Sequence, residues 1–494
     1  MINKKYLYLS ALAVSIFTTP SFAISNDDLL KRLEQLESEV KETKKQNAEF
    51  KNQISGLESG MKSQMRKELG GVEDRIDGLE TTVLMNKVNF GLGFRNRVDF
   101  YNAKRVNGTK TDSSNVWTTK LHLNMDSQIT DNMKFAGRLA MYKYWSGNTA
   151  ISSSGANNAN MSMYDPLQGR RPSDSSIFAE RAYVDYLIDK DWAVPVTVTL
   201  GRQPSSDGPS HQFKDNTVRK STYSALGFDG AADGVVTTLN FEKATGMENA
   251  AIRLAYGKGY QAYNTTNPST QYIDTTTGVK DAQFYAMFID GSVPGVKGSL
   301  VQLGYVKASN ITGMTGGANL GGIDVFGVMA EFTNVADSGL DVFAHYGMSK
   351  ADANTNTVAM GGQNYGLFGT QAMNDLGENH TGQAFWVGGR YALPFANAGK
   401  LGYEYNRGSQ YWVSFTNAAN DLTNKLAARG DAHEVYYIQP INRYAHLRAG
   451  AQFINYKYAG SGSHLGTPMR LGDAGTNNEI KNLTNYYFLF NLLF

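Results

Sequence analysis

Tyr486-Tyr487-Phe488-Leu489-Phe490-Asn491-Leu492-Leu493-Phe494 ends the chain with an apolar or aromatic side chain at every second position: Tyr486, Phe488, Phe490, Leu492 and Phe494. Successive side chains of a strand point to opposite faces, so this row predicts a strand with one face in an apolar medium. Tyr487 and Asn491 fall on the other face, beside water or polar groups, although Leu489 and Leu493 there weaken the alternation. A core-facing edge strand of a soluble sandwich is the competing reading, and the rest of the chain decides between the two.

From Val88 onward the period of two recurs. Phe90, Leu92, Phe94, Val98 and Phe100 face one way and Arg95, Arg97 and Asp99 the other; Trp117, Leu121, Leu123 and Met125 oppose Lys120 and His122; Met133, Phe135, Leu139 and Met141 oppose Lys134 and Arg138. Charged residues alternating with lipid-type residues over about ten positions are the pattern of a membrane barrel with a wet lumen. Continued to Phe494, the pattern predicts sixteen antiparallel strands. Short links, such as Asp126 to Asn132 and Leu393 to Ala398, alternate strictly with long ones, such as Asn102 to Ser114, Pro204 to Ala232 and Gln410 to Arg429. A soluble sandwich gives no reason for that alternation. A closed barrel does, because one end carries turns and the other carries loops, and closure leaves no open edge in lipid.

Composition agrees. There is no cysteine, which removes disulfides, thiol catalysis and cysteine-ligated zinc together. Gly 51, Tyr 28 and Phe 24 against Pro 11 describe a chain of strand formers and tight turns. Mean hydropathy is -0.38, and no segment after the first residues approaches an apolar helical span. At the start, Lys4 and Lys5, the apolar stretch Leu7 to Phe17 and Ser21-Phe22-Ala23 read as a secretory signal cleaved after Ala23. The expected organisation is therefore a signal peptide at 1–23, a stalk at 24–87 and an outer-membrane barrel at 88–494.

The stalk has another period. Leu29, Leu33, Leu36, Val40, Thr43, Asn47, Phe50, Ile54, Leu57 and Met61 recur at steps of four and three. After a slip of one residue the seam resumes at Leu69, Val72, Ile76, Leu79 and Val83. Over 29–85 this predicts a coiled coil of about 85 Å if helical throughout, with Gly70-Gly71 as a possible interruption. Arg32, Leu33, Leu36 and Glu37, and again Arg75, Ile76, Leu79 and Glu80, place Arg at g, aliphatics at a and d, and Glu at e. That arrangement resembles the short trimerisation motif of parallel coiled coils, which implies a homotrimer. Asn47 at an a position pulls toward a dimer.

Taken together, the chain resembles the porin-type β-barrel proteins of the Gram-negative outer membrane, with a periplasmic coiled coil in front, and more narrowly an uncharacterised outer-membrane family of epsilon-type proteobacteria. The row Tyr486, Phe488, Phe490, Leu492 and Phe494 resembles the terminal strand that the barrel assembly machinery recognises. The resemblance implies passage of small hydrophilic solutes through the outer-membrane lipid, with the stalk in the periplasm as a spacer that could touch the cell wall. It also implies that the third long link, Pro204 to Ala232, folds inward as a constriction.

The side chains assigned to the lumen are Arg95, Arg97, Asp99, Lys120, His122, Lys134, Arg138, Arg181, Asp185, Arg202, Arg253, Arg390, Glu404 and Arg448. Because acids are few among them while the whole chain carries only +2, the excess of positive charge is expected on the wall, enriching small anions. The opposing expectation is that these arginines pair with carboxylates of in-folded loops, Asp207, Asp215, Asp229 and Asp233 being candidates, and only stiffen the barrel. A plugged structural or adhesive envelope protein is the alternative function. Seven scattered histidines show no zinc-ligand spacing, Ser463-His464 is no nucleophile motif, and no basic footprint for nucleic acid stands outside the lumen; neither catalysis nor a metal or cofactor is expected.

Overall fold

A computed structural model of the chain describes residues 26–85, 88–145, 177–203, 208–220, 223–229, 233–260, 281–312, 318–394, 398–416 and 421–494. The signal segment at 1–23 and the loops Ser146 to Ser176 and Gln261 to Lys280 lie outside those residues. The chain divides into two compact units at residues 86 and 87.

The first unit is one helix, α1 (Asn26–Met85). At 1.5 Å per residue its 60 residues make a rod of about 90 Å. It runs through Gly70-Gly71 without a break, correcting the expected interruption: each glycine costs a helix only about 1 kcal/mol, and the helix-forming runs on either side carry it. Val40, Phe50, Ile54, Leu57 and Met61 are all more than half exposed on the single chain. The side chains of Arg32, Leu33, Leu36, Arg75, Ile76, Leu79 and Glu80 lie outside the described residues. No helix among the described residues is long and apolar enough to cross a membrane.

The second unit is a closed barrel of sixteen strands: β1 (Asn89–Arg105), β2 (Lys110–Thr130), β3 (Met133–Tyr144), β4 (Phe178–Leu187), β5 (Val196–Arg202), β6 (Asp233–Asn240), β7 (Ala251–Tyr260), β8 (Ala282–Gly291), β9 (Ser299–Ser309), β10 (Gly321–Phe332), β11 (Leu340–Ala353), β12 (Thr381–Ala392), β13 (Lys400–Gly408), β14 (Gly430–Pro440), β15 (Ala445–Tyr456) and β16 (Ile480–Leu493). Each strand pairs antiparallel with the next. The ring closes where β16 meets β1 in a register running from Gly93 opposite Leu493 to Arg105 opposite Ile480. At the seam Leu92 donates to the Phe494 carbonyl at 2.7 Å and Phe494 donates back to the Leu92 carbonyl at 3.0 Å. Phe488 is 45% exposed while Tyr487 beside it is 3% exposed, so the terminal row faces out and its neighbours face in.

The connection expected as a long link from Asn102 to Ser114 is instead a four-residue turn. β1 and β2 extend beyond their neighbours and join through Val106-Asn107-Gly108-Thr109, where Gly108 sits at φ +87°, a conformation open to glycine. Polar residues at the tips of both strands hid that extension, because alternation is visible only where one face meets lipid.

Inside the barrel, glycines of one strand receive tyrosines of the next. A Cβ on Gly402 of β13 would stand 2.2 Å from the ring of Tyr436 on β14, and one on Gly450 of β15 would stand 2.5 Å from the Tyr487 hydroxyl on β16. Tyr487 thereby lies along the wall and donates to Glu434 Oε1 at 2.7 Å. Gly450→Val should expel the Tyr487 ring and leave Glu434 short of a donor, costing about 1–3 kcal/mol; a lowered urea midpoint for the folded, heat-modifiable band would register it, and an unchanged midpoint would refute the packing.

Candidate functional site: the lumen and its two in-folded loops

Among the described residues, two long loops enter the barrel. The first joins β5 to β6 and contains the one-turn helix α2 (His211–Asp215), ended by Asn216 in the left-handed region at φ 51°. Its His211, Gln212, Phe213 and Lys214 are buried. Ser210 Oγ and Gln212 Nε2 each donate to Glu331 Oε2 of β10 at 2.9 Å. The hydroxyls of Ser210 and Ser224 bracket the His345 ring of β11 at 3.1 and 2.7 Å. Phe213 stacks on Phe343 with centroids 5.6 Å apart, and its carbonyl accepts from Arg390 Nη1 at 2.8 Å. The expected inward third loop is therefore observed.

The second loop, joining β13 to β14, was not expected inside. Trp412, fully buried, donates through Nε1 to the Leu426 carbonyl at 2.8 Å, and Asn406 of β13 donates to the Lys425 carbonyl at 2.7 Å. The two loops join each other: Phe228-Asp229 pairs in parallel with Phe415-Thr416, and Ser414 Oγ donates to the Leu226 carbonyl at 2.5 Å.

Charge locks this assembly to the wall. Asp421 of the second loop accepts from Arg97 at 2.9 Å and from Lys214 of the first loop at 2.5 Å. Lys214 also reaches Glu434 at 3.2 Å, while Lys425 bridges Glu434 and Glu404. Arg97 pairs with Asp99 at 2.7 Å, and Arg448 donates to Asp215 at 2.8 Å. Trp386 Nε1 donates to Glu404 Oε2 at 3.0 Å. Burial alone would raise the Asp421 carboxyl, but Lys214, Arg97 and Lys425 around it hold it well below the usual carboxylate range. Asp215 is held down in the same way, by Arg448 and Lys214 against burial.

The wall is therefore less basic than its arginines suggest. Besides Asp99, Asp185 and Glu404, the strands turn Glu180, Asp290, Glu331, Asp341 and Glu434 toward the lumen. Arg253 pairs with Asp290, Arg390 with Asp341 at 2.6 Å, and Arg138 with Glu180 at 3.1 Å. A strict period of two from Ile289, Val342 and Val435, which face outward, would have found Asp290, Asp341 and Glu434. Arg202 is a correction of another kind. Leu200 is 52% exposed, so Arg202 two residues on shares its outward face, where it pairs with Asp233 at 2.8 Å. Of the candidate acidic partners, Asp215 meets Arg448, Asp229 stands 3.7 Å from His211, Asp233 takes Arg202, and Asp207 lies outside the described residues.

The loops pack against β8 to β16 and β1, and space remains beside β2 to β7. One cavity of about 460 Å³ is lined by Lys134, Tyr183, Asp185, Thr199, Thr238 and Arg253, among others. Arg181, on β4 beside this wall, stands opposite Arg138. A second cavity, of about 240 Å³, has Arg95, Lys120, His122, Arg138, Lys220, His446 and Arg448 in its lining, with Asp215 as the carboxylate among the described residues there.

A family model described as "Protein of unknown function (DUF3373)" matches residues 110–494. A comparison with curated proteins found no match. Among solved structures, OprB of Pseudomonas putida is 13% identical with a TM-score of 0.48, covering 85% of this chain and 97% of its own. OmpF of Salmonella typhi is 12% identical with a TM-score of 0.44, covering 82% and 97%, and an anion-selective porin of Comamonas acidovorans is 11% identical at 0.43, covering 82% and 100%.

Asp421→Asn should leave Arg97 and Lys214 without their shared carboxylate, at a cost of about 3 kcal/mol or more, and expose the segment 409–429 to added protease in the folded barrel. Protection equal to that of the unaltered protein would refute the lock. Because the folded carboxyls of Asp215 and Asp421 titrate lower than an unfolded aspartate, at about 3.9, their stabilisation is present above that value and is lost only as pH falls below it. Loop protection measured from pH 8 to pH 5 should accordingly stay constant.

Proposed function

The chain belongs to the DUF3373 family of proteins of unknown function, and from its own geometry we propose that it is an outer-membrane channel for passive diffusion of small hydrophilic solutes, with a preference for anions. The observation that carries this reading is the polar-lined space along β2 to β7, beside a vestibule whose described lining carries more basic than acidic side chains. In a water-filled passage with low-dielectric walls, such an excess raises the local anion concentration. The preference is attributed to Arg95, Lys120, Arg138, Lys220 and Arg448, and no longer to a uniformly basic wall.

The outward apolar band supports a location in outer-membrane lipid, the row from Tyr486 to Phe494 is read as the signal to the barrel assembly machinery, and the short turns are read as the periplasmic end. The exposed seam of α1, which a lone helix in water would not keep, is read as the contact between copies, with a homotrimer favoured by the two Arg-and-Glu motifs and cell-wall contact a secondary use. A second reading, a plugged structural or adhesive protein, is favoured by one specific observation: two joined loops occupy much of the lumen.

Planar-bilayer recording distinguishes them. Under a potassium chloride gradient the folded protein should conduct with a reversal potential displaced toward that of chloride, and Lys120→Glu with Arg138→Glu should move it toward potassium. Absence of conductance from verified folded protein would favour the plug, and potassium selectivity of the unaltered channel would refute the charge argument.

A further inference from the structure

The outward wall of β16 is apolar from Tyr486 to Phe494 and polar above it. At roughly 3.4 Å per residue and a tilt of about 40°, that apolar row covers about 21 Å of membrane depth. Thr484 and Asn482, the next outward residues, therefore stand above the apolar band, at the level of lipid headgroups. Asn482 belongs to a register row of polar outward residues that crosses six strands: Arg407 faces Asp431, Asp431 faces Asn455, Asn455 faces Asn482, Asn482 faces Lys104, and Lys104 faces Lys110.

A groove of about 540 Å³ opens along this row, with Arg407, Asn455 and Asn482 in its lining and Tyr405, His433 and Phe453 in the row below. Asp431 holds two cations side by side, Lys457 Nζ at 2.5 Å and Arg407 Nε at 3.6 Å, and also accepts from the Tyr405 hydroxyl at 2.8 Å. Arg407 is still 54% and Lys457 41% exposed, so both keep surface for a further acceptor. Lys104 and Lys110 are exposed directly opposite each other, and like charges so placed repel until an anion lies between them. Asn482 donates to Asn455 at 3.2 Å, a neutral amide pair suited to hydroxyl groups. Beneath, the floor turns apolar: the exposed rings of Phe453 and Tyr486 meet edge to face, 6.1 Å apart. Five strand spacings of about 4.8 Å make the row about 24 Å long, more than one phosphodiester headgroup covers. Cations spread along that length, with amides between them and an apolar floor below, complement a saccharide headgroup that carries phosphates at separated positions and acyl chains beneath it.

We propose that this groove is a binding site for a phosphorylated glycolipid of the outer leaflet, with its phosphates on Arg407, Lys457 and the facing Lys104 and Lys110, and its acyl chains along Phe453 and Tyr486. The proposal rests on the outer-membrane part of the reading above and not on conduction. Native mass spectrometry of the full-length folded protein in detergent, with lipid A carrying two phosphates as the probe, should show discrete, saturable adducts. Arg407→Met and Lys457→Met should each weaken that binding about fivefold, and so should removal of the phosphates from the lipid. Lys307→Met, which removes an outward cation of β9 lying 4.0 Å from Asp324, should leave it unchanged. Heat-modifiable migration checks that every variant is folded. Equal binding of the dephosphorylated lipid, or an equal loss in Lys307→Met, would overturn the site. Absence of adducts together with a fall in oligomer size in Arg407→Met would overturn it too, and assign the face to a neighbouring copy. Anion-selective conductance alongside either result leaves the channel standing, whereas saturable lipid A adducts on a protein without conductance overturn the channel alone.

Discussion

An open sheet edge leaves a row of backbone donors and acceptors unmet, and the closure that removes it is the constraint on which the second unit depends. Sixteen strands satisfy one another around a ring, and the ring closes because β16 returns to β1, with Leu92 and Phe494 exchanging backbone hydrogen bonds. Closure fixes the register of each strand, the register fixes which side chains face in, and the inward set then decides how the loops are held. The tyrosines laid over Gly402 and Gly450 belong to the same chain of causes: a strand without a side chain at one position leaves room for a ring from its neighbour, and over Gly450 the Tyr487 ring carries its hydroxyl to Glu434.

The parts legible in the sequence are those set by local periodicity. The lipid-facing rows of β1, β2, β3 and β16 stand out because each outward residue is apolar and its neighbours are not. Arg202 was misplaced because the β4 to β5 region offers short strands, whose parity is settled only by Leu200. The hairpin from Val106 to Thr109 was read as a loop because its strands have left the membrane and both faces are polar. The carboxylates Asp290, Asp341 and Glu434 were within reach of the same period-two rule and were missed by counting only the most regular strands.

The lock was illegible for a different reason. Arg97 and Asp421 are separated by more than three hundred residues, and Lys214 and Glu434 by more than two hundred; no local pattern announces that one loop's aspartate will sit between a strand arginine and another loop's lysine. Nor does Gln410 to Arg429 look unlike an outer loop. Its buried Trp412 is the one residue whose type hinted at an interior, since an indole gains little by facing water and needs a partner for its N–H when buried.

Two populations of charge thus share one lumen and differ in their access to electrolyte. The pairs around Asp421 and Glu434 are sealed between loops and wall, whereas the groups around the 240 Å³ vestibule border open space. Dissolved ions form their atmosphere only where they can enter, so raising ionic strength shrinks the reach of the vestibule's field to a few ångströms while the sealed pairs keep theirs. Saltier surroundings would make the passage less discriminating without making it wider.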